Sequence, residues 1–302
     1  MSRKIAEPEL PFTTAFAALV VGAIAMGISP VFVRIAEIGP FASAFWRVFL
    51  ALPVLILWVI WECKRTGRDL PTWRSYDRAI LLCGAFFAGD LFFWHLAILN
   101  TTIANATLLS CLAPVWVALF SGLFIGERVT REVWGGLVIC LLGAVLLIGS
   151  SYSLVPDRLI GDIYGVFTSL FFGLYILAVR VARRSHGAGA MTFMSATVTA
   201  PILFVTAIIA GQSFIPETMT GVAALVALGV LSHSGGQGLL AVALGSLSAA
   251  FSSLVIFIEA LAAAFVGWLV FAETLTPLQG LGGLLILFGI WTARQKPSEG
   301  AR

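Results

Sequence analysis

Apolar residues run through this chain in long blocks rather than in the short alternations of an amphipathic soluble protein. Ten blocks can be marked, at approximately 12–34, 41–62, 79–99, 103–125, 132–150, 160–180, 190–210, 219–243, 248–271 and 275–293. Each has about the length a helix needs to cross a hydrocarbon core ~30 Å thick at ~1.5 Å per residue. Turn and loop residues separate them: Gly39-Pro40, the stretch Lys64 to Arg78, Asn100-Thr101-Thr102, and Tyr152 to Asp162 with Pro156. The first run follows Arg3 and Lys4, as a secretion signal would. It is longer than the apolar region of such a signal, so it reads as a spanning helix. The predicted organisation is a cytoplasmic tail over 1–11, five helices over 12–150, a periplasmic linker over 151–159, five more helices over 160–293 and a cytoplasmic tail over 294–302.

Composition supports a lipid-embedded chain. Hydrophobic residues make up 60% and charged ones 11%, where a soluble protein carries about 25% charged residues. Such a chain has too few polar groups to cover a water-facing surface. The net charge of +3 is too small to point to nucleic acid. The four cysteines, Cys63, Cys83, Cys111 and Cys140, form no C-x-x-C pair and suggest neither zinc nor a disulfide framework.

The distribution of positive charge tests the helix count. With ten spans, one face collects Arg3, Lys4, Lys64, Arg65, Arg68, Arg74, Arg78, Arg128, Arg131, Arg180, Arg183, Arg184, Arg294, Lys296 and Arg302. The other collects Arg34 and Arg158, and Arg47 lies inside a span. One miscounted helix would scramble that sorting. Both termini are therefore expected in the cytoplasm of a cell with the chain in its inner membrane.

A gapless shift of 146 residues lays the second half over the first. Glu127, Thr130, Gly136 and Gly143 fall on Glu273, Thr276, Gly282 and Gly289, and Gly27, Val33 and Arg34 on Gly173, Val179 and Arg180. Gly89 falls on Gly235 and Ala104 on Ala250. Five spans per half is an odd number, so the halves enter the membrane from opposite faces. Inverted repeats of this kind are a common construction of secondary transporters.

These residues resemble the drug/metabolite transporter superfamily, in its EamA-type branch. The resemblance rests on Ala113-Pro114-Val115-Trp116, Gly126-Glu127-Arg128-Val129-Thr130, Gly136 and Gly143. Ala272-Glu273-Thr274-Leu275-Thr276 with Gly282 and Gly289 repeats them, although Glu259-Ala260 stands where the first half has Ala113-Pro114. The resemblance covers nearly the whole chain. It implies an all-α integral membrane protein, ten transmembrane helices as two inverted five-helix repeats, that exports or imports small metabolites. In overall character the chain is similar to YddG-type exporters of aromatic amino acids.

Ionisable groups inside spans are costly and tend to face a bundle interior or a water-filled cavity. Counted from the outer ends, Arg47 sits roughly 9 Å deep, Asp90 roughly 13 Å and His95 roughly 6 Å. Arg47 is placed to bridge Asp90 and His95, either as an ion pair fixing helix packing or as an outer gate and carboxylate anchor. His233 and Gln237 lie one turn apart in the Gly-rich stretch Ser232 to Gly238, near the middle of the eighth span. Irregular polar stretches at that depth line cavities or are buried in protein. Glu259, in the ninth span, would be neutral, paired with His233, or protonated during transport. Asn105, Ser110 and Ser252 are candidate cavity polar groups, and Tyr175, with Phe86, Phe92, Trp94 and Trp116, a candidate stacking surface. The starts of the fourth and ninth spans, Asn100 to Thr107 and Ser246 to Ser253, carry capping residues. Their N-termini could also attract a substrate carboxylate. Trp58, Trp61, Trp73, Trp134 and Trp291 lie near span ends and read as interfacial anchors.

Function classes narrow accordingly. An ATP-driven pump would need another chain, because no Walker motif is present. A membrane enzyme would need a catalytic cluster, and neither H-E-x-x-H nor G-x-S-x-G occurs. A channel would need a filter or charge ring, and none is visible. The expected function is secondary transport by alternating access. The expected solutes are amino acids, aromatic or otherwise neutral, and related compounds, with a drug or nucleoside as the alternative. No cofactor or metal is expected. The expected partners are the solute and the lipid bilayer, with the assembly a monomer or a homodimer.

Overall fold

The computed structural model describes residues 10–101, 103–149, 156–271 and 276–294. Ala272 to Leu275 of the second repeat motif, with its Glu273, lie outside the described residues, as do Thr102, Ser150, residues 151–155 of the linker and most of both tails. Among the described residues the chain is helical throughout. Nine helices are long and apolar enough to cross a membrane: α1 Phe12–Ile35, α2 Pro40–Thr66, α3 Arg78–Asn100, α4 Asn105–Ile125, α5 Arg131–Ile148, α6 Pro156–Ala182, α7 Ala188–Ile209, α8 Met219–Ala243 and α9 Ala249–Val270. A tenth, α10 Pro277–Ala293, is apolar and 17 residues long. The ends agree with the hydrophobic blocks to within a few residues because capping side chains mark them. Asp77, Thr130, Thr218, Ser248 and Thr276 each accept a backbone N–H from the first turn that follows.

The repeat is present in the packing. A Cβ built on Gly136 of α5 would lie 2.5 Å from the Gly289 carbonyl oxygen of α10, and one on Gly143 would lie 2.7 Å from that of Gly282. The partners cross over, Gly136 with Gly289 and Gly143 with Gly282. The two helices therefore run antiparallel about a pseudo-two-fold axis, as inversion requires. Cys140 and Ile286, 146 positions apart, meet near that axis, where the Cys140 Sγ donates to the Ile286 carbonyl at 3.5 Å. A second contact pair obeys the same shift. Gly27 of α1 faces the Glu259 carbonyl and Ala262 of α9, and Gly173 of α6 faces the Ala113 carbonyl and Trp116 of α4.

Small residues make these crossings because lipid tails are as apolar as leucine, so helices associate by close backbone packing rather than by a hydrophobic drive. The outer face of α10 shows the complement. Leu281, Leu284, Leu287, Phe288 and Trp291 are exposed, whereas Gly282, Ile286, Gly289, Ile290 and Ala293 face inward. Replacing Gly136 by Leu is expected to cost at least ~1–3 kcal/mol, since backbone blocks the new side chain. Gly135→Leu is the control, because a Cβ there meets nothing within 4 Å. Thermal unfolding of the purified protein should show a lowered Tm for G136L alone.

Two helices cap each other reciprocally. The Glu62 carboxylate of α2 accepts the Gly189 and Ala190 amides at 3.2 and 2.9 Å, at the start of α7. Beyond the end of α7, the Gln212 Oε1 accepts the Ala42 amide at 3.0 Å, near the start of α2. Each helix N-terminus at a membrane face thus has its spare donors met by the other half of the repeat.

Five of the spans are interrupted. α1 breaks after Gly27, before Ser29 and Pro30. α2 breaks at Leu50 and Ala51, before Pro53. α4 breaks between Ser110 and Ala113, before Pro114, and α9 between Val255 and Ile258. α8 widens into a π-helix over Leu228–Gln237. The breaks in α4 and α9 are related by the 146-residue shift, yet α9 has no proline there. The α9 break therefore does not depend on an imino ring, and it coincides with the close approach of Gly27 to the Glu259 backbone.

Candidate functional site

Four of the interruptions meet at one cavity of about 580 Å³. Its lining includes Gly27, Ser29 and Pro30 from α1, Ser110, Cys111, Ala113 and Pro114 from α4, Gln237 from the π-segment of α8, and Ile256, Phe257 and Glu259 from α9. Broken helices free backbone groups and place polar atoms at mid-membrane depth, which only protein or a water-filled space can satisfy. From its deep end at Phe87, Pro114, Gln237 and Ser253 the cavity runs to Arg34, Ile38, Ile98, Leu99 and Gln279, at the face poor in arginine.

Three charged side chains line the body of the cavity, Arg47 of α2, Asp90 of α3 and Glu259 of α9, and Arg34 of α1 lines its mouth. Arg47 is 8% exposed, and its Nε is buried without a hydrogen-bond partner among the described residues. Its guanidinium lies 5.9 Å from the centre of the Phe87 ring, a cation–π contact. Among the described residues it makes no ion pair with Asp90 or Glu259. The bridge expected between Asp90 and His95 is thus absent, and the three groups face a shared space. Gln237 also lines it, and its Oε1 has no partner among the described residues. Ser110 lines it too, with its hydroxyl donated to the Thr107 carbonyl at 2.7 Å.

The other candidates stand behind the walls. Tyr175 is 1% exposed and packs on Phe87 at 4.9 Å. His233 packs on the same ring at 5.3 Å, with neither ring nitrogen bonded, so no pair with Glu259 forms. His95 is buried edge-on to Phe41 at 5.8 Å and against Trp94 at 4.9 Å. Ser252 is buried with an unpartnered hydroxyl, and its neighbour Ser253 lines the cavity instead. Asn105 has a structural role: its Nδ2 donates to the Asp162 Oδ1 of α6 at 2.9 Å, beside a 2.8 Å bond from the Thr101 hydroxyl. Of the named aromatics only Trp94 lines the cavity, joined by Phe87, Phe172 and Phe257. A period of 3.6 along α3 separates Phe87 from Phe86 by about 100°, but without the neighbours it does not say which of them faces inward. Trp61, Trp73, Trp134 and Trp291 are exposed near span ends as expected, whereas Trp58 is wedged against Gly189 and Gly238.

At the arginine-rich end a cluster of hydrogen bonds ties helices together. Arg180 Nε donates to Glu127 Oε1 at 2.5 Å, and its NH1 to the Leu244 carbonyl at 2.8 Å. Glu127 Oε2 accepts the Ala249 amide at 2.9 Å, so the N-terminus of α9 holds a protein carboxylate. Arg183 and Arg184 donate to the Ala241 and Ile125 carbonyls at 2.8 and 2.7 Å. One helix end, on α6, thereby ties down α4, α8 and α9. Under the 146-residue shift the Arg180–Glu127 pair maps onto Arg34 and Glu273.

The model of the EamA-like transporter family matches residues 13–149 and 159–294, one copy per half. The pseudopaline exporter CntI of Pseudomonas aeruginosa is 29% identical over 164 residues, 52% of this chain and 54% of that protein. An uncharacterized transporter of Archaeoglobus fulgidus is 30% identical over 178 residues, 59% of this chain and 60% of that one. The match thus spans somewhat over half the length of these curated relatives. A crystal structure of a protein 17% identical shares the fold with a TM-score of 0.80, over 94% of this chain and 98% of that one. The chain belongs to the EamA-like transporter family.

Proposed function

We propose that this EamA-like transporter exports amino acids and related small metabolites by alternating access. The observation that carries the reading is the set Arg47, Asp90 and Glu259, facing one cavity without pairing to each other. A buried charge without a partner is costly. An amino acid brings a carboxylate for Arg47 and an ammonium for a carboxylate, and so offsets that cost on binding. The aromatic lining suits aromatic and other neutral side chains, in keeping with a YddG-type exporter. A drug or nucleoside without a carboxylate would leave Arg47 uncompensated.

A cavity closed at one end by a charged latch fits one state of a two-state cycle, and the 146-residue shift puts Arg34 of the first half and Glu273 of the second at the positions of a reciprocal latch. The charge bias supports an orientation with the arginine-rich end in the cytoplasm, and we take the inner membrane as the chain's location. The name of the Pseudomonas relative, an exporter, agrees with outward transport. The test is flux of labelled amino acids into proteoliposomes of the purified chain without ATP, with a competition panel of aromatic, aliphatic and charged amino acids. Amino acids should compete with one another and ATP should have no effect. Absence of flux across a broad metabolite panel, with the protein folded, would sink the transporter reading.

A further inference from the structure

The charges that line the deep cavity do not balance. Arg47 supplies one positive charge, and Asp90 and Glu259 two negative ones when both are ionised. Arg34 also lines the cavity but stands exposed at its mouth, where solvent screens it. Among the described residues, Cys111 on α4 is the remaining titratable group on the lining, and a thiol is neutral at pH 7. α5, α6, α8 and α10 contribute no charged side chain to the lining. His95, His233 and Tyr175 lie behind the walls.

An excess charge on half-buried groups at membrane depth is expensive. It is neutralised in one of two ways: by a proton on one carboxyl, or by a solute that carries one more positive than negative group. A neutral zwitterion cannot do this, because its ammonium and carboxylate cancel and the excess remains. The two neutralised forms are alternatives, so binding one releases the other.

We propose that the preferred solute is an amino acid with a second cationic centre, net charge +1, exchanged for one proton. Its carboxylate meets Arg47, and its two cationic groups meet Asp90 and Glu259. As it binds, the proton held by one carboxyl leaves to water through the mouth. After the solute is released at the other face, a proton from that side returns to the carboxyl and the cycle closes electroneutrally. This rests on the reading of the cavity as the substrate site and ranks cationic amino acids above neutral ones within it.

The experiment uses the full chain in proteoliposomes, with labelled L-lysine and L-phenylalanine as probes and a trapped pH-sensitive dye. Lysine should be carried at least about tenfold faster than phenylalanine. A pH gradient should drive its accumulation, with about one proton moving outward per lysine taken in. Asp90→Asn and Glu259→Gln each remove one acidic group at nearly constant shape. Each should move the preference toward phenylalanine and abolish the proton movement. Phenylalanine carried as fast as lysine, or lysine flux indifferent to the pH gradient, overturns the proposal while leaving a transporter. A lysine preference unchanged in both variants overturns the assignment to these carboxyls. Failure of every solute to move overturns the transporter reading as well. The lysine-to-phenylalanine ratio of the unaltered protein decides the ranking even where a variant does not fold.

Discussion

Arg47→Met should abolish transport while leaving the protein at least as stable as before. Truncating one partner of a buried, hydrogen-bonded charge pair costs roughly 2–5 kcal/mol at an interface. If Arg47 holds the carboxylate of the solute, flux should fall by about thirtyfold or more. Stability should move the other way. The Arg47 Nε has no partner among the described residues, and no carboxylate lies within ion-pair distance. The fold therefore carries the cost of burying this cation with its Nε unbonded and the Phe87 ring beside it. A methionine of similar length can fill the same space, and replacing buried charge by apolar bulk is often neutral or stabilising. The measurement is a pair: flux in proteoliposomes and Tm in detergent. A Tm lowered by many degrees with flux retained would show that Arg47 serves packing and not the solute.

The second large effect is expected at the arginine-rich end. Glu127 accepts from Arg180 and from the Ala249 amide, two hydrogen bonds involving a charged group. Such bonds contribute about 1.5–3 kcal/mol each. Glu127→Ala removes both. A loss near 3 kcal/mol would shift an open–closed equilibrium by about a hundredfold. Cys111 reports on it, since this free cysteine lines the cavity while Cys83 and Cys140 are buried. In a Cys63→Ser background, a membrane-impermeant maleimide should reach Cys111 of the parent protein from the arginine-poor face. In the E127A variant, labelling should appear from the arginine-rich face as well. Identical labelling of parent and variant from both faces would remove Glu127 from the gate.

Much of the architecture was legible because membrane physics leaves coarse marks on a chain. A span must be apolar for about 20 residues, and the sorting of Lys and Arg between alternate loops depends on the helix count. The repeat was visible through Glu127, Thr130, Gly136 and Gly143, residues scarce enough, or spaced regularly enough, to stand out from alanine and leucine. The antiparallel crossing of Gly136 with Gly289 and Gly143 with Gly282 is the same regularity in three dimensions. The helix breaks were only partly legible. Pro30 and Pro114 signal theirs, whereas the break in α9 has no local signature and the π-segment of α8 shows only as a run of glycine and serine.

The candidate site divides along the same line. Sequence alone determined that Arg47, Asp90, His95, His233, Gln237 and Glu259 lie at membrane depth, because depth follows from rise per residue along one helix. Tertiary structure decided that Arg47, Asp90, Gln237 and Glu259 share a cavity while both histidines lie behind its walls. It also decided that Asn105 binds Asp162 and that Glu127 occupies the N-terminus of α9. The reason is geometric. Periodicity sets the angle of a side chain about its own axis. Whether that angle meets a cavity, a neighbouring carboxylate or lipid depends on how other helices cross, and those crossings are set by contacts between residues more than a hundred positions apart, such as Gly27 against Glu259.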